Sequence, residues 1–500
     1  MAPENDAVNN PIEERTARLE KLQAAYAAGL EPYPSRTGRT HAVADVLARF
    51  DELAAAGGSV CVAGRLRAVR GHGGACFADL DDDGRKIQLH FKTDVLGASE
   101  YEGFERLVDR GDFIEVTGVP FVTRRGEKSV EARSWRLLAK ALRPFPTDWF
   151  GVTDTETRYR KRYLDLVANP EVRALFEKRS LIVRTIRDFL HGEGFIEVET
   201  PILQVLSGGA TARPFITHHN ALDIDLYLRV APELYLKRLV VGGLGKVFEV
   251  ARCFRNEGID HLHNPEFTQV EFYQAYADYR DLMELTEHLL PAVVKAVTGG
   301  KLVVKHGDKE LDFTPPYPRL AFKESLKTLG NFDMDAYPDR ASLAKAAEAC
   351  GIAVAPTDGT GAILDNLYKK LVRARIVDPT FITDYPTEMK PLAKRVPGDQ
   401  RFTESFQLLA AQGFELLNAF SELNDPLDQH ARFEEQETLR AAGDEEAQRM
   451  DDDFIEALET GMPPTAGFGM GIDRLAALLT DSHSLKEVIL FPTMRPDERK

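Results

Sequence analysis

Two stretches of the chain decide the fold: Phe254-Arg255-Asn256-Glu257 with His263-Asn264-Pro265-Glu266-Phe267-Thr268 after it, and Gly467-Phe468-Gly469-Met470-Gly471-Ile472-Asp473-Arg474. An arginine offers a planar fork that suits phosphate or carboxylate, and Glu257 adds an anionic recognition point two residues on. Glycines at alternate positions let a strand approach a flat ligand closely. Taken separately, each stretch has an ordinary alternative: a salt-bridged surface strand for the first and a packing requirement for the second. The second stretch also lacks the G-x-x-x-x-G-K-[ST] pattern of a P-loop.

The chain has 500 residues, which is more than one hydrophobic core supports, so we expect more than one domain. Residues 11–55 have helical composition. Short strand-like runs separated by Gly/Asp-rich turns follow, and they suggest a small closed barrel for which an OB-fold is one candidate. A segment with Pro144 and Pro146 resists regular structure, and a large α+β region lies beyond it. The runs predicted as barrel strands are Ser59–Arg67, Ala75–Leu80, Lys86–Phe91, Asp112–Val119 and Ser129–Leu138.

Composition narrows the class of protein. No apolar run reaches the ~18 residues of a membrane span, and the polar, acidic N-terminus has no signal-peptide core, so we expect a cytoplasmic protein without a membrane partner. Four dispersed cysteines without a C-x-x-C pair argue against a disulfide framework or zinc knuckle. The net charge of −16 disfavours nucleic acid as a partner, although local basic clusters on an acidic body can still hold an RNA.

The two stretches together resemble motifs 2 and 3 of the class II aminoacyl-tRNA synthetases, and Gly194-Phe195-Ile196-Glu197-Val198-Glu199-Thr200-Pro201 resembles motif 1. The class I signatures H-I-G-H and K-M-S-K-S are absent. Further stretches resemble the bacterial-type class II lysyl-tRNA synthetases, and the resemblance covers roughly residues 12–497. These stretches are Ala212–Asn220, Leu228–Lys237, Val270–Tyr276 and Phe420–Asp425.

The resemblance implies an α+β fold, with an antiparallel-sheet class II catalytic domain and an N-terminal OB-fold β-barrel. It implies motif 1 at about 180–201, motif 2 at about 246–273, a helical insertion at about 320–380 and motif 3 at about 464–478. The implied domains are a helical extension (1–55), an OB-fold anticodon-binding domain (56–145), a linker (146–158) and the catalytic domain (159–500).

The implied activity is the ATP-dependent activation of L-lysine and its transfer to the 3′ end of tRNA(Lys) by a homodimer that uses Mg²⁺ with ATP. The alternative is a divergent paralogue with altered or weakened activity in a non-translational or regulatory role.

The resemblance also implies roles for individual residues, and Arg255 is the implied catalytic residue. ATP would be bound by Arg255, Glu257, His263, Asn264, Phe267 and Arg474. Lysine would be bound by Gly209, Glu233, Glu271, Tyr273, Asn418 and Glu422. Magnesium would be bound at Glu415, Glu422 and Gln407. The anticodon would be bound by Arg70, Phe77, Gln88 and Glu127.

The chain departs from the family pattern near Glu415. The family usually has a second metal-binding acid seven residues before this position, where this chain offers Gln407 or Leu408 depending on the placement of one extra residue. Lys390 stands where the family usually has serine, and Ala419 replaces a glycine. Since magnesium prefers charged oxygen ligands, we expect weaker metal retention here.

Overall fold

The computed structural model describes residues 11–144, 152–210, 212–441 and 448–496. It comprises two compact units, Met1–Val172 and Arg173–Lys500. Residues 1–10 of the predicted helical extension, residue 145 of the predicted barrel domain and residues 146–151 of the predicted linker lie outside the described residues. No helix in the described ranges is long and apolar enough to cross a membrane.

The first unit combines short helices with a barrel. Its helices are α1 (Pro11–Ala27), α2 (Val43–Ala48), α3 (Phe50–Ala56), α4 (Thr93–Leu96), α5 (Ala98–Leu107), α6 (Thr155–Arg160) and α7 (Arg162–Ala168). Its strands are β1 (Val60–His72), β2 (Ala75–Asp82), β3 (Arg85–Lys92), β4 (Phe113–Val122) and β5 (Lys128–Ala139). Helix α6 begins inside the segment predicted as a linker, where the Asp154 side chain accepts a hydrogen bond from the Thr157 N–H.

The five strands close into a barrel in the order β1-β2-β3-β5-β4. Alternate side chains of β2 and β3 point inward, so Cys76, Ala78 and Leu80 join Leu89 and Phe91 in the barrel core. The intervening side chains face outward. The closed five-stranded barrel is the small closed barrel that the sequence predicts.

The second unit is larger. Its helices are α8 (Pro170–Gly192, counted here from Arg173), α9 (Glu233–Val241), α10 (Tyr279–Thr298), α11 (Phe322–Thr328), α12 (Arg340–Ala349), α13 (Thr360–Leu371), α14 (Pro426–Ala441), α15 (Asp452–Glu459), α16 (Ile472–Leu479) and α17 (Leu485–Val488). Short 3-10 turns span Met334–Ala336, Arg373–Arg375 and Thr387–Met389.

The strands of the second unit form one large sheet and three small ones. They are β6 (Ile196–Glu197), β7 (Leu203–Gln204), β8 (Ile216–His219), β9 (Ile224–Leu228), β10 (Lys246–Phe254), β11 (Glu266–Ala275), β12 (Val303–His306), β13 (Lys309–Asp312), β14 (Arg319–Ala321), β15 (Thr380–Thr383), β16 (Arg395–Val396), β17 (Asp399–Thr403), β18 (Ser405–Ala410), β19 (Phe414–Ser421) and β20 (Thr465–Gly471).

The large sheet has the order β14-β15-β18-β19-β20-β11-β10-β6. Its inner pairings are antiparallel, and only the edge pairs β14/β15 and β10/β6 are parallel. This arrangement confirms the predicted antiparallel-sheet α+β domain. The segment predicted as a helical insertion carries α11, α12 and α13, whose apolar side chains form a core of their own.

Strands β11 and β20 give the sheet two different faces. Phe272 pairs with Phe468, and their stacked rings, 4.3 Å between centroids, lie in the main apolar core. On the opposite face, Tyr273 pairs with Gly467 and Glu271 pairs with Gly469. The period of two along each strand therefore buries apolar side chains on one face and leaves space beside polar ones on the other.

Gly118 provides a test of the barrel geometry. It lies at a bulge in the β4/β5 pairing, and a Cβ atom there would collide with the backbone carbonyl of Glu131. Because backbone cannot move aside cheaply, we expect Gly118→Ala to destabilise the barrel by roughly 1–3 kcal/mol. Faster amide hydrogen exchange in peptides from β4 and β5 would report the loss. Gly58→Ala, with open space around its Cβ position, is the matched control, and equal protection in the two variants would contradict the assigned packing.

Candidate active site

A cavity of about 440 Å³ opens above the polar face of β11 and β20. Its walls come from these strands, from β19, from the start of α9 and from the segments around Arg255 and Lys390. Most of the residues predicted to bind ATP and lysine line it: Gly209, Glu233, Arg255, Glu257, His263, Asn264, Phe267, Glu271, Tyr273, Asn418 and Arg474. Glu415 lines it too.

One end of the cavity is acidic. Glu233 stands in the first turn of α9, and Glu271 and Tyr273 project from β11. Glu422 follows β19 and is 1% exposed. It lies just behind the cavity wall, because a Cβ atom on Gly467 would collide with its carboxylate and with the Tyr273 ring. Glycine at position 467 thus keeps the space in front of these two side chains open.

A buried lysine balances part of this negative charge. Lys237 lies one helical turn after Glu233, has no exposed surface, and places its Nζ 2.7 Å from Glu233 Oε1 and 2.5 Å from Glu422 Oε2. Burial lowers the pKa of Lys237, but the two carboxylates outweigh it and raise that pKa overall. Glu422 Oε1 is buried and accepts no hydrogen bond from the described residues.

Glu271 has no cation at salt-bridge distance among the described residues. Its Oε1 accepts a hydrogen bond from Gln269 Nε2 at 2.6 Å, and its Oε2 accepts one from the Tyr273 hydroxyl at 3.2 Å. Burial, together with the charge of Glu233, raises the pKa of Glu271 to about 8. With this pKa, Glu271 is mainly protonated at neutral pH.

The other end of the cavity is cationic. The guanidinium carbon of Arg255 lies 5.0 Å from the centroid of the Phe267 ring, and the buried Arg255 Nε makes no hydrogen bond in the described structure. Arg474 opens α16, and one of its guanidinium nitrogens is 3.5 Å from His263 Nε2. The opposite nitrogen of the His263 ring bonds to Asp260. The pair of Arg255 and Phe267 and the pair of Arg474 and His263 line the same cavity.

Two further predicted residues shape the wall. Asn264 is buried, donates to the Glu266 carbonyl at 2.6 Å, and leaves its Oδ1 without a hydrogen bond in the described structure. Gly209 has a left-handed backbone (φ 88°), and a Cβ atom there would lie 3.0 Å from the Glu233 Cβ. Glycine is therefore required at 209 both by conformation and by the close approach of α9.

Glu415 lies between the cations. Its Oε2 is 3.3 Å from an Arg373 guanidinium nitrogen. Burial raises the pKa of Glu415, but Arg373, Lys390, Arg474 and Arg255 together hold it below its ordinary value. It also lines a neighbouring cavity of about 900 Å³, which Gln407 shares. Among the described residues, no group of three or more Asp, Glu, His or Cys side chains is arranged to hold a metal ion.

Strand pairing resolves the choice between Gln407 and Leu408. Gln407 pairs with Asn418 across β18 and β19, and its Oε1 accepts a 2.7 Å hydrogen bond from the Tyr385 hydroxyl. Leu408 pairs with Leu417 and is buried in the main apolar core. A bulge follows, since the next pair joins Leu409 to Glu415. Gln407 thus lines the neighbouring 900 Å³ cavity, whereas Leu408 packs in the core.

The predicted anticodon residues lie in the first unit on the outer face of the barrel. Phe77 is half-buried, and its ring stacks on His90 with centroids 4.2 Å apart and planes 2° apart. Arg70 pairs with Phe77 across the strands and bonds to Asp79. Gln88 pairs with Asp79 and accepts a hydrogen bond from the Ser129 hydroxyl. Glu127, just before β5, is exposed.

Sequence reasoning missed three charged residues of the catalytic unit. Lys237 lies between two predicted lysine-binding acids, and its position four residues after Glu233 on a helix was the available signal. Arg373 reaches Glu415 from the helical insertion, and nothing local in the sequence marks it. Asp473 forms an ion pair with Arg179 at 2.5 Å and accepts the Thr268 N–H, so it fixes the cavity end of β11.

Comparison with known proteins agrees with this geometry. Residues 154–495 match the family model of class II tRNA synthetases (D, K and N), and residues 60–138 match that of the OB-fold nucleic acid binding domain, which confirms the predicted OB-fold. The lysine–tRNA ligase of Moorella thermoacetica is 52% identical over 96% of this chain and 97% of its own length. That of Pelotomaculum thermopropionicum is 50% identical over 96% and 94%, and that of Roseiflexus castenholzii is 48% identical over 98% and 100%.

These matches extend over both units and include the strands and helices that build the cavity. The chain therefore belongs to the class II tRNA synthetases and, within them, to the lysine–tRNA ligase family.

Proposed function

We propose that this chain activates L-lysine with ATP and transfers the lysyl group to tRNA(Lys). The observation that carries the proposal is the polarity of one cavity, which has three acidic residues and a tyrosine at or just behind one end and several cations with an aromatic ring at the other. Lysine presents two ammonium groups and a carboxylate, and ATP presents phosphates and a flat base. Each of these groups finds a partner of opposite charge or matching shape.

Lysine binds with its ammonium groups at the acidic end. Glu233 receives the α-ammonium, and Glu422 with Tyr273 receives the ε-ammonium, with Glu271 between them and Gly209 providing room. Glu422 Oε1 accepts no hydrogen bond from the described residues, so it is available to a ligand. A carboxylate and a phenol at the far end select for both charge and chain length.

ATP binds at the cationic end, where Phe267 and Arg474 enclose the adenine and Glu257, His263 and Asn264 hold adenine and triphosphate. The lysine carboxylate attacks the α-phosphorus, pyrophosphate leaves, and the tRNA 3′ hydroxyl then attacks the carbonyl of the adenylate. No covalent protein nucleophile is needed. Arg255 stabilises the charge that develops on the α-phosphate, while Asn418 orients the carboxylate, so catalysis consists of positioning and charge stabilisation.

Magnesium fits this site through a single carboxylate. Glu415 faces the cavity, and Gln407 adds at most a neutral amide oxygen that already accepts the Tyr385 hydroxyl. Glu422 is paired with Lys237 at the acidic end, which leaves Glu415 as the better ligand. Magnesium is usually held by one or two carboxylates plus substrate phosphates, and when bound it neutralises the triphosphate.

Two surfaces support the macromolecular partners. On the barrel, Phe77 offers a ring for an unpaired anticodon base, with Arg70, Gln88 and Glu127 around it. In the catalytic unit, large apolar side chains around β6 to β9 are exposed, which supports a homodimer through this face. They are Ile196, Ile202, Leu203, Val205, Leu206, Ile216, Leu222 and Ile224. No observation favours the alternative of a regulatory paralogue.

Arg255 tests the catalytic assignment. We expect Arg255→Ala to lower lysine-dependent ATP–pyrophosphate exchange by about 10²–10³-fold, because it removes charge stabilisation in the transition state. Arg252→Ala is the control, since Arg252 lies on the same region of the chain but pairs with Glu266. Near-normal exchange by the Arg255 variant would exclude its assigned role.

Glu422 tests the lysine pocket. Glu422→Gln removes a counter-charge from the ε-ammonium, and we expect the lysine Kd to rise at least about tenfold, with weaker discrimination against norleucine. Calorimetric titration measures the Kd of lysine and that of norleucine. ATP affinity checks that the fold survives the loss of a partner for Lys237, and Glu434→Gln, an exposed site on α14, is the matched control. An unchanged lysine Kd would mean that the pocket has been assigned to the wrong residue.

Phe77 tests the barrel surface. We expect Phe77→Ala to weaken tRNA(Lys) binding by about 1–3 kcal/mol through lost stacking. Amino-acid activation should remain at the level of the unaltered chain, because the exchange assay involves no tRNA. A loss of ATP–pyrophosphate exchange as large as the loss of tRNA(Lys) binding would instead indicate a structural role for this ring.

A further inference from the structure

The Lys390 side chain is half-buried and places its ammonium between two cavities. Its Nζ donates one hydrogen bond, of 2.6 Å, to Asn418 Oδ1, and it lies 5.0 Å from the centroid of the Tyr385 ring. Among the described residues, no carboxylate comes within 4.0 Å of this ammonium. The side chain lines both the 440 Å³ cavity and the neighbouring one.

An ammonium has three hydrogens to donate, and one partner leaves two directed elsewhere. Burial, together with the charge of Arg373, lowers the pKa of Lys390 below its ordinary value, and the carboxylates of Glu415, Asp365 and Glu233 offset this only in part. A half-buried cation with a single neutral partner is stabilised when an anion completes its shell. The described residues provide no carboxylate at bonding distance, and Lys390 lines two cavities from which an anion could reach it.

The bond to Asn418 also orients a second group. With Asn418 Oδ1 accepting from Lys390, the Asn418 amide must direct its NH₂ elsewhere, as a donor. Asn418 lines the cavity as well. Lys390 and Asn418 thus present a cation and a neutral donor side by side, which is a combination suited to a carboxylate or phosphate oxygen.

The main chain holds Lys390 in place. The turn Thr387–Met389 ends at Lys390, whose N–H donates to the Thr387 carbonyl, and Arg432 donates to the Lys390 carbonyl. The ammonium is therefore delivered from a fixed backbone rather than from a free loop, which lowers the entropy lost on binding.

We propose that the Lys390 ammonium binds an anionic oxygen of the reactants, either on the lysine carboxylate or on the α-phosphate of ATP. This inference rests on the proposed function and adds a substrate-binding residue to it.

The test measures binding without metal, so that activity is not the readout. L-lysine, L-lysinamide (which lacks the carboxylate charge) and ATP are titrated separately by calorimetry into the unaltered chain, Lys390→Met and Lys390→Arg. In Lys390→Met the loss of a charge-assisted hydrogen bond is expected to lower one of two affinities by about ten- to a hundredfold: that for L-lysine relative to L-lysinamide, or that for ATP. The first result identifies the carboxylate as the partner and the second identifies the phosphate. Lys390→Arg should retain most of the affinity.

Lys394→Met is the matched control, because Lys394 also donates to an asparagine, Asn424 Oδ1 at 2.7 Å, but is exposed and outside the cavity. Unchanged affinities in Lys390→Met would overturn the inference. So would an equal loss for L-lysine, L-lysinamide and ATP, which marks a structural role. If the unaltered chain bound neither L-lysine nor ATP, the proposed function itself would fail. If the unaltered chain bound both and Lys390→Met bound them equally well, only this inference would fail.

Discussion

The buried ammonium of Lys237 is the interaction on which the catalytic unit depends. Glu233, Glu271 and Glu422 share one end of a small cavity, and like charges this close destabilise a folded chain. Lys237 forms ion pairs with two of the three, and the third carries a proton because its pKa is about 8. Burial also raises the pKa of Glu422, although Lys237 opposes this, so the three acids together carry little net negative charge. Glu422 Oε1 accepts no hydrogen bond from the described residues, and we assign it to a ligand.

The sheet makes this arrangement possible by separating its two faces. Phe272, Phe468 and Met470 fill the core, while Glu271, Tyr273 and the glycines of β20 alternate with them on the cavity side. A shift of one residue in either strand would exchange the two sets and bury the acids in apolar surroundings. Gly467 adds a local constraint, since any side chain there would displace Glu422 and Tyr273.

Much of the fold and of the candidate site could be predicted from the sequence, and the parts that could not be predicted have physical causes. Short strand-like runs separated by Gly/Asp-rich turns predicted the barrel strands, and the resemblance predicted most of the residues that line the cavity, because both are recorded in short local patterns. Lys237, Arg373 and Asp473 escaped, since their roles come from contacts with residues 42 to 294 positions away or with a helical neighbour. The choice between Gln407 and Leu408 likewise needed the bulge in the β18/β19 pairing, which no local pattern reveals.

Lys390 and Gln407, which both depart from the family pattern, are connected through the pairing of β18 with β19. Gln407 lies directly across from Asn418, the residue that accepts the bond from Lys390, and Tyr385 contacts both Gln407 and Lys390. An acid at 407 would place a negative charge in the wall of the 900 Å³ cavity that Lys390 also lines, and it would compete with a bound anion for the ammonium. A neutral amide avoids this competition. Each departure also adds one positive charge relative to the family pattern, so together they favour bound anions and disfavour a second cation. Lysine at 390 is thus compatible with glutamine at 407 in a way that it would not be with glutamate.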